Sequence, residues 1–428
     1  MADLKHPTVV VPQGDGAPAE APAPGSFAHL GITNGTYDPA AYDAPDFYAV
    51  DDLLTDEEKA HRDRVRAFVT AEVLPVIEEH AQAMTFPRHI AAKFGELGVI
   101  GPTIPREYGG LGASSNTYGL MMQEVERADS GLRSFCSVMG SLVMYPIYTY
   151  GSEEQKQRWL PRLAKAEVYG CFALTEPNVG SNPNAMTTRA VKDGDDYVIT
   201  GHKRWSTNAS EADVCVVWAK DDDGQIGGFL VELDRPGVSA PRIMDKWSLR
   251  AAITSEVIFD GVRIPASNRL PKAKGLKAPL SCLTQARFGI AWGTLGAAMA
   301  CYDAAVQHAT TRRQFAKPIG GHQLIQGKLA DMVTEITKAQ LVAWRLGVLK
   351  DAGTMRPKQV SLAKRNNCRM ALDVARTSRQ ILGGNGVLGL YPVMRHMANL
   401  ESVVTYEGTD EVHTLVLGQA ITGLNAFG

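Results

Sequence analysis

The chain has 428 residues, 45% of them hydrophobic, and a formal net charge of −2. That length can bury a large core in more than one domain or layer, and the charge balance leaves no basic footprint for nucleic acid or an anionic membrane surface. Six scattered cysteines without CxxC spacing or a histidine cluster read as buried thiols of a reducing compartment, with no metal site. No apolar run approaches the roughly 20 residues of a membrane span and no secretory signal core is visible, so the expectation is a soluble, cytoplasmic protein without a membrane partner.

Residues 1–45 are rich in alanine, proline and glycine, as in Ala17-Pro18-Ala19-Glu20-Ala21-Pro22-Ala23-Pro24, and read as an extended, disordered tail. It lacks arginine and carries acids, unlike a mitochondrial transit peptide. Order is expected from near Asp51. Thr55-Asp56-Glu57-Glu58 fits a capping box, and Val65, Phe68, Val69, Val73 and Val76 then mark one helical face. A helical pattern spans 46–168. The texture changes near Gly170. Tyr197-Val198-Ile199-Thr200, Val214 to Trp218 and Phe229 to Leu233 are short β-branched or aromatic runs bounded by turns such as Asp223-Gly224, which predicts an antiparallel β domain over 169–275. Over 276–428 the helical period returns. Ile325, Leu329, Met332, Ile336, Ala343 and Leu346 share one face of a helix from about His322 to Lys350, stopped by Gly353. The chain is therefore expected to be an α+β multidomain protein whose two helical parts, an N-terminal domain and a C-terminal bundle, pack on each other.

Glu407 is the first candidate for chemistry. It lies in Thr405-Tyr406-Glu407-Gly408-Thr409, an acid after an aromatic approach and before a glycine pivot. A carboxyl held against apolar surface loses hydration and becomes a usable base near neutral pH. The same acid also reads as a helix-start carboxylate, because Asp410, Glu411 and the apolar run to Leu417 form a first turn. Gly384-Asn385-Gly386-Val387-Leu388-Gly389 spells GxGxxG but follows a helix rather than a strand, which excludes a nicotinamide fingerprint, and Gly383 and Gly384 read as a glycine helix stop. No GxSxG elbow or P-loop is present, against acyl hydrolysis and phosphoryl transfer. Leu174 to Asn182 exposes hydroxyls and backbone N–H groups that suit a polar cofactor. Lys203-Arg204-Trp205-Ser206-Thr207-Asn208 sets an indole beside hydroxyls, suited to a flat ring, although Trp205 alone also reads as core.

Leu174 to Ser181, Trp205 to Asn208, Arg312-Arg313-Gln314-Phe315, Gln380 to Gly386 and Tyr406-Glu407-Gly408-Thr409 resemble, in order, the motifs of the acyl-CoA dehydrogenase family. Glu126 to Ser134, Leu142 to Tyr148, Ala286 to Gly293 and Ser361 to Cys368 are similar to the glutaryl-CoA dehydrogenase branch of it. The resemblance implies the fold order read above, an FAD bound at a subunit interface, a homotetramer, an acyl-CoA substrate and an electron-transfer flavoprotein as electron acceptor. It implies that Phe172, Leu174, Thr175, Gly180 and Ser181, with Trp205, Ser206 and Thr207, line the isoalloxazine and ribityl chain. Arg312, Phe315, Gln323, Gln380, Gly383, Gly384, Thr409 and Glu411 would hold the rest of the FAD, partly across the interface. Glu407 would be the base that takes the substrate α-proton, and its backbone N–H a donor to the thioester oxygen.

Arg133 and Ser134 match the pair that binds the distal carboxylate in glutaryl-CoA dehydrogenases, and a guanidinium suits a bidentate carboxylate. Ser181, Arg287, Tyr406 and Gly408 complete the implied substrate site, and Tyr406 and Glu126 match decarboxylating members, which implies crotonyl-CoA and CO2 as products. The chain departs from the family at Asn182 (usually Asp), Ser206 (commonly Ile) and Thr311 (usually Asp), so a dehydrogenase or oxidase for another short-chain acyl-CoA stays open. So does a non-catalytic flavin-binding protein of the same fold.

Overall fold

A computed structural model describes residues 37–427; the expected tail over 1–36 lies outside the described residues. Residues 37–45 correct that expectation, because they pack on the body of the protein. The Asp38 N–H donates to Gln307 Oε1 (2.8 Å), Tyr37 meets Tyr391 with ring centroids 6.2 Å apart, and Arg127 and Arg66 lie over the Tyr42 ring at 4.6 and 5.4 Å. Two tyrosines supply the aromatic surface that the Ala/Pro-rich stretch lacks.

The N-terminal helices are α1 (Asp56–Phe68), α2 (Leu74–Ala83), α3 (Arg88–Glu96), α4 (Ser115–Ala128), α5 (Ser130–Ser137), α6 (Tyr145–Tyr150) and α7 (Glu153–Ala164). The capping box at α1 forms in both directions, Thr55 N–H to Glu58 Oε2 (2.9 Å) and Glu58 N–H to Thr55 Oγ1 (3.2 Å). One π-helical turn, Val69–Val73, joins α1 to α2. The wider turn moves the buried stripe to Val65, Val69, Val73 and Ile77, so Val76 leaves the face expected of a plain 3.6-residue period. A second π-helical stretch, Val138–Met144, joins α5 to α6.

The β domain comprises β1 (Gly170–Ala173), β2 (Arg189–Asp193), β3 (Asp196–Thr207), β4 (Val214–Lys220), β5 (Ile226–Glu232), β6 (Val238–Ser239) and β7 (Thr254–Pro265). They make a seven-stranded sheet in the order β1-β4-β2-β3-β7-β6, with β5 on β4. Its long pairings are antiparallel as expected, but β1 runs parallel to β4, with Cys171 opposite Cys215, so the sheet is mixed. A parallel neighbour needs a crossover, here the stretch from β1 through β2 and β3, which no hairpin signal announces.

The C-terminal part is built on α8 (Lys277–Thr311), followed by the small hairpin β8 (Arg313–Gln314) and β9 (Lys317–Pro318), then α9 (Gln323–Asp351), α10 (Pro357–Ile381), α11 (Val393–Val403) and α12 (Asp410–Thr422). α9 ends within a residue of expectation, before Gly353 at φ +66°. Helix α8 packs against α4, α9 and α10, so the two helical parts share one core that includes Leu120, Met121, Leu295, Ile336, Ala371 and Val403. All six cysteines are buried and free.

Candidate active site

The turn between α11 and α12 is held by cations. Glu407 is left-handed at φ +54°, which costs a residue with a Cβ about 1–2 kcal/mol. Three successive carbonyls of this turn are captured. Lys364 Nζ, from α10, donates to Tyr406 O (2.8 Å) and Gly408 O (2.7 Å), and Arg287 Nε, from α8, donates to Glu407 O (2.6 Å). At Gly408, φ +97°, a Cβ would stand 2.9 Å from His413 Nε2 and 3.0 Å from Arg287 Nη2, so only glycine fits. Thr409 caps α12 by accepting from the Val412 N–H (3.2 Å). Among the described residues no acceptor takes the Glu407 N–H.

The Glu407 side chain is half-buried, and its Oε2 has no hydrogen-bond partner among the described residues. Burial pushes its carboxyl above the ordinary range, against the pull of Arg133, Lys364 and Arg287. That is the environment of a proton acceptor rather than of a solvated acid at a helix start. His413 lies below the turn, its Nδ1 3.0 Å from Ser361 Oγ; burial first, then Lys364 and Arg287, push its imidazole down to about 3.

Arg133 is wholly buried in the middle of α5. Its Nε donates to Glu126 Oε2 (2.6 Å) and its Nη2 to the Tyr406 hydroxyl, while Nη1 has no partner among the described residues. Gly293 of α8 leaves room for this pair, since a Cβ there would stand 2.0 Å from Glu126 Oε2. Ser134 is buried next to Arg133. The structure thus brings Glu407, Tyr406 and Gly408 of the 405–409 turn together with Arg287 of α8 and Arg133 of α5, held by Lys364 of α10 and Glu126 of α4.

The loop leaving β1 and the end of β3 form a second group. Phe172 and Leu174 are buried, Thr175 is half-buried, and Gly180 and Ser181 are exposed, with open space where a Gly180 Cβ would stand. The Thr175 carbonyl accepts from the Arg204 N–H (2.8 Å), which joins the loop to β3. Trp205 is 54% exposed at φ +65°, stacked under Arg204 at 5.1 Å, so it is not a core tryptophan. Ser206 Oγ is buried without a hydrogen-bond partner among the described residues, and Thr207 is half-buried. An open indole face, an orphaned hydroxyl and an uncrowded glycine turn fit a flat polar ring system such as a flavin.

A third group lies at the other end of the bundle. Arg312 follows the last residue of α8, about 37 Å from Arg287 at 1.5 Å per helical residue. Phe315, at the hairpin tip, is 90% exposed at φ +52°. Gln323 begins α9, and Gln380 near the end of α10 accepts from Lys328 Nζ of α9 (3.1 Å). Gly383, φ +59°, ends α10 as the glycine stop read from sequence; like Gly384 it faces open space. Thr409 and Glu411 sit instead at the start of α12, beside Glu407. One chain therefore splits the expected cofactor residues between two distant surfaces.

Some supports are not among the expected site residues. Lys203 of β3 is buried with Glu176 (3.0 Å) and also donates to Leu174 O (3.0 Å). Burial would raise the Glu176 carboxyl, but Thr188, Lys203 and Thr187 hold it at about 2. Arg395 and Asn399 of α11 both bond Asp129 Oδ2 (3.0 and 2.8 Å), and Asp129 accepts from the Gly131 N–H (2.6 Å) at the start of the helix that carries Arg133. For Lys364 a signal existed: it falls four residues after Val360 and four before Cys368, inside the apolar stripe of α10.

The chain matches the acyl-CoA dehydrogenase N-terminal, middle and C-terminal domain families over residues 55–167, 171–262 and 273–422. It is similar to a glutaryl-CoA dehydrogenase of Mycobacterium smegmatis, with 52% identity and a TM-score of 0.88 over 90% of this chain and all of that one. A second structure of a glutaryl-CoA dehydrogenase from that organism, in complex with FADH2, is 49% identical with a TM-score of 0.88, covering 92% of this chain and 100% of that one. The short-chain specific acyl-CoA dehydrogenase of Bos taurus is 36% identical over 85% of this chain and 90% of its own length.

Proposed function

The chain belongs to the acyl-CoA dehydrogenase family, and from that premise we propose that it oxidises glutaryl-CoA and decarboxylates it to crotonyl-CoA. One observation carries the choice of substrate: Arg133 is wholly buried, spends Nε on Glu126 and Nη2 on Tyr406, and leaves Nη1 unpaired among the described residues. A distal carboxylate gives that edge its acceptor, with Ser134 alongside. An apolar acyl tail leaves a buried donor unsatisfied, at a cost of about 1–3 kcal/mol.

Glu407 is the base. Its carboxylate takes the α-proton of the thioester, and its unclaimed N–H faces the oxygen on which charge develops. A preorganised donor of that kind contributes about 3–4 kcal/mol. FAD, when bound, accepts the β-hydride. Phe172, Leu174, Thr175, Gly180, Ser181 and Trp205 to Thr207 hold its ring and ribityl chain. Arg312, Phe315, Gln323, Gln380, Gly383, Gly384, Thr409 and Glu411 hold the remainder, shared between copies of the chain. Loss of the proton and hydride gives glutaconyl-CoA. The bond to the distal carboxylate then breaks, CO2 leaves, and the electron pair passes through the new double bond into the thioester until the distal carbon takes up a proton. A homotetramer in the cytoplasm that hands electrons to an electron-transfer flavoprotein belongs to the same proposal. Of the described residues, no helix is long and apolar enough to cross a membrane.

The 36% identity to a short-chain specific enzyme favours butyryl-CoA as the rival substrate. Anaerobic mixing with glutaryl-CoA should bleach the flavin and release crotonyl-CoA with CO2. Bleaching by butyryl-CoA alone overturns the assignment.

A further inference from the structure

We infer that Lys364 is a positioning residue for the reaction: by holding the carbonyls on either side of Glu407 it turns the Glu407 N–H toward the substrate thioester. The inference rests on the proposed dehydrogenation but not on which group is the base.

In a trans peptide the C=O of one residue and the N–H of the next point in opposite directions, and none of the described residues has a cis bond. The Tyr406 carbonyl points at Lys364 Nζ, 2.8 Å away, so the Glu407 N–H points away from it. The Gly408 carbonyl, 2.7 Å from the same nitrogen, is held on that side too. A single ammonium bonded to both fixes the Tyr406–Glu407 and Gly408–Thr409 peptide planes, while Arg287 fixes the Glu407–Gly408 plane between them. The left-handed backbone of Glu407 is unfavourable alone and persists only where the surroundings impose it.

Lys364 is itself buried, and burial pushes its ammonium below the ordinary lysine range; the carbonyls replace its lost water. A buried lysine in the apolar stripe of a helix, with both bonded acceptors on one catalytic turn, serves that turn rather than the helix. Lys364 has a second effect, through charge. The groups facing Glu407 are Arg133 from α5, Arg287 from α8, Lys364 from α10, Tyr118 from α4 and the neighbouring Tyr406, with His413 of α12 under the turn and Glu126 of α4 behind Arg133. Removing one cation from this set raises the proton affinity of the Glu407 carboxylate.

Lys364→Met in the flavin-loaded enzyme tests the geometry by ground-state binding. Two unreactive probes are compared by calorimetry: crotonyl-CoA, and the thioether analogue in which its carbonyl is a CH2. In the parent protein the carbonyl should add about tenfold to affinity, one well-aligned hydrogen bond. In Lys364→Met the two affinities should converge, and the acidic limb of the pH profile for flavin reduction by glutaryl-CoA should move to higher pH. Lys364→Gln keeps a donor without the charge, so it should shift the limb while retaining part of the discrimination; it also serves if the methionine variant does not fold. Parent-like discrimination in folded Lys364→Met, or undiminished discrimination in Lys364→Gln where the methionine variant does not fold, overturns the inference wherever the limb lies. If Glu407→Gln still reduces the flavin normally, the base assignment fails, while the probe affinities still judge Lys364.

Discussion

The two ends of α8 differ in how far one chain completes them. At the Arg287 end, Glu407, Tyr406, Gly408, Lys364, Arg133 and Glu126 interlock through hydrogen bonds and ion pairs drawn from several elements. At the Arg312 end, Phe315 and Gln323 stand in the open, and the glycines after α10 meet nothing within 4 Å of an added Cβ. Preorganisation explains the contrast. Donors and charges aimed at a developing charge must be fixed before the substrate arrives, whereas groups that hold the far end of a cofactor can be ordered by the cofactor and a second copy. Substitutions at the inner end should therefore alter chemistry and folding, and those at the outer end only loading and assembly.

The largest effect is expected at the inner end. Glu407→Gln keeps the shape of the side chain and removes the base, so reduction of bound flavin by glutaryl-CoA should slow by about 10²–10⁴-fold with flavin content unchanged. Stopped-flow bleaching measures it, and an unchanged rate means another base acts. Arg133→Met should come next. It removes the unpaired Nη1 and strips Glu126 of its partner, a change that costs about 3–5 kcal/mol when one member of a buried pair is lost. Turnover of glutaryl-CoA should fall far more than that of butyryl-CoA. An equal loss on both would make Arg133 a fold element only.

A pH dependence follows from His413. Its folded form is held neutral down to about pH 3, whereas the unfolded chain protonates it near 6.5. Below 6.5 the unfolded state binds the extra proton, so the stability this group contributes falls as pH drops, by about 1.4 kcal/mol per unit, until the folded form also protonates near 3. Thermal midpoints should decline between pH 6.5 and 5, and His413→Gln should flatten that decline. A parallel decline in both proteins would move the acid sensitivity elsewhere, away from the turn that carries Glu407.

Much of this organisation was legible in the sequence, and the exceptions have physical causes. Caps and stops act locally, so Thr55 to Glu58, Gly353 and Gly383 were readable from a few neighbouring residues. The displacement of Val76 was not, because a π turn leaves no residue signature comparable to a cap. Tyr37 and Tyr42 were lost in a tail judged by its average composition, although two aromatics sufficed to anchor it. The site residues were visible as motifs, but the action of their supports was not. Lys364 and Lys203 fall inside motif stretches and Lys364 in an apolar stripe, yet with Asn399 they act across long sequence separations on backbone carbonyls or a buried carboxylate, and a motif read along one segment contains nothing of the partner.

The smallest effect should come from Phe315→Ala, and it separates the two ends most cleanly. Phe315 is 90% exposed and among the described residues its ring makes one aromatic contact, with His322, so truncation should change the stability of a single chain by no more than about 0.5 kcal/mol. If the Arg312 end is completed by cofactor and a second copy, the same truncation should still lower flavin content and weaken assembly, read by absorbance ratio and by sedimentation. The left-handed backbone at Phe315 makes that outcome more telling, because alanine bears the same φ +52° penalty and the change isolates the ring. Unaltered flavin content and unaltered assembly would mean that the exposed ring has no partner, and the contrast between the two ends of α8 would then reflect burial rather than a division of labour.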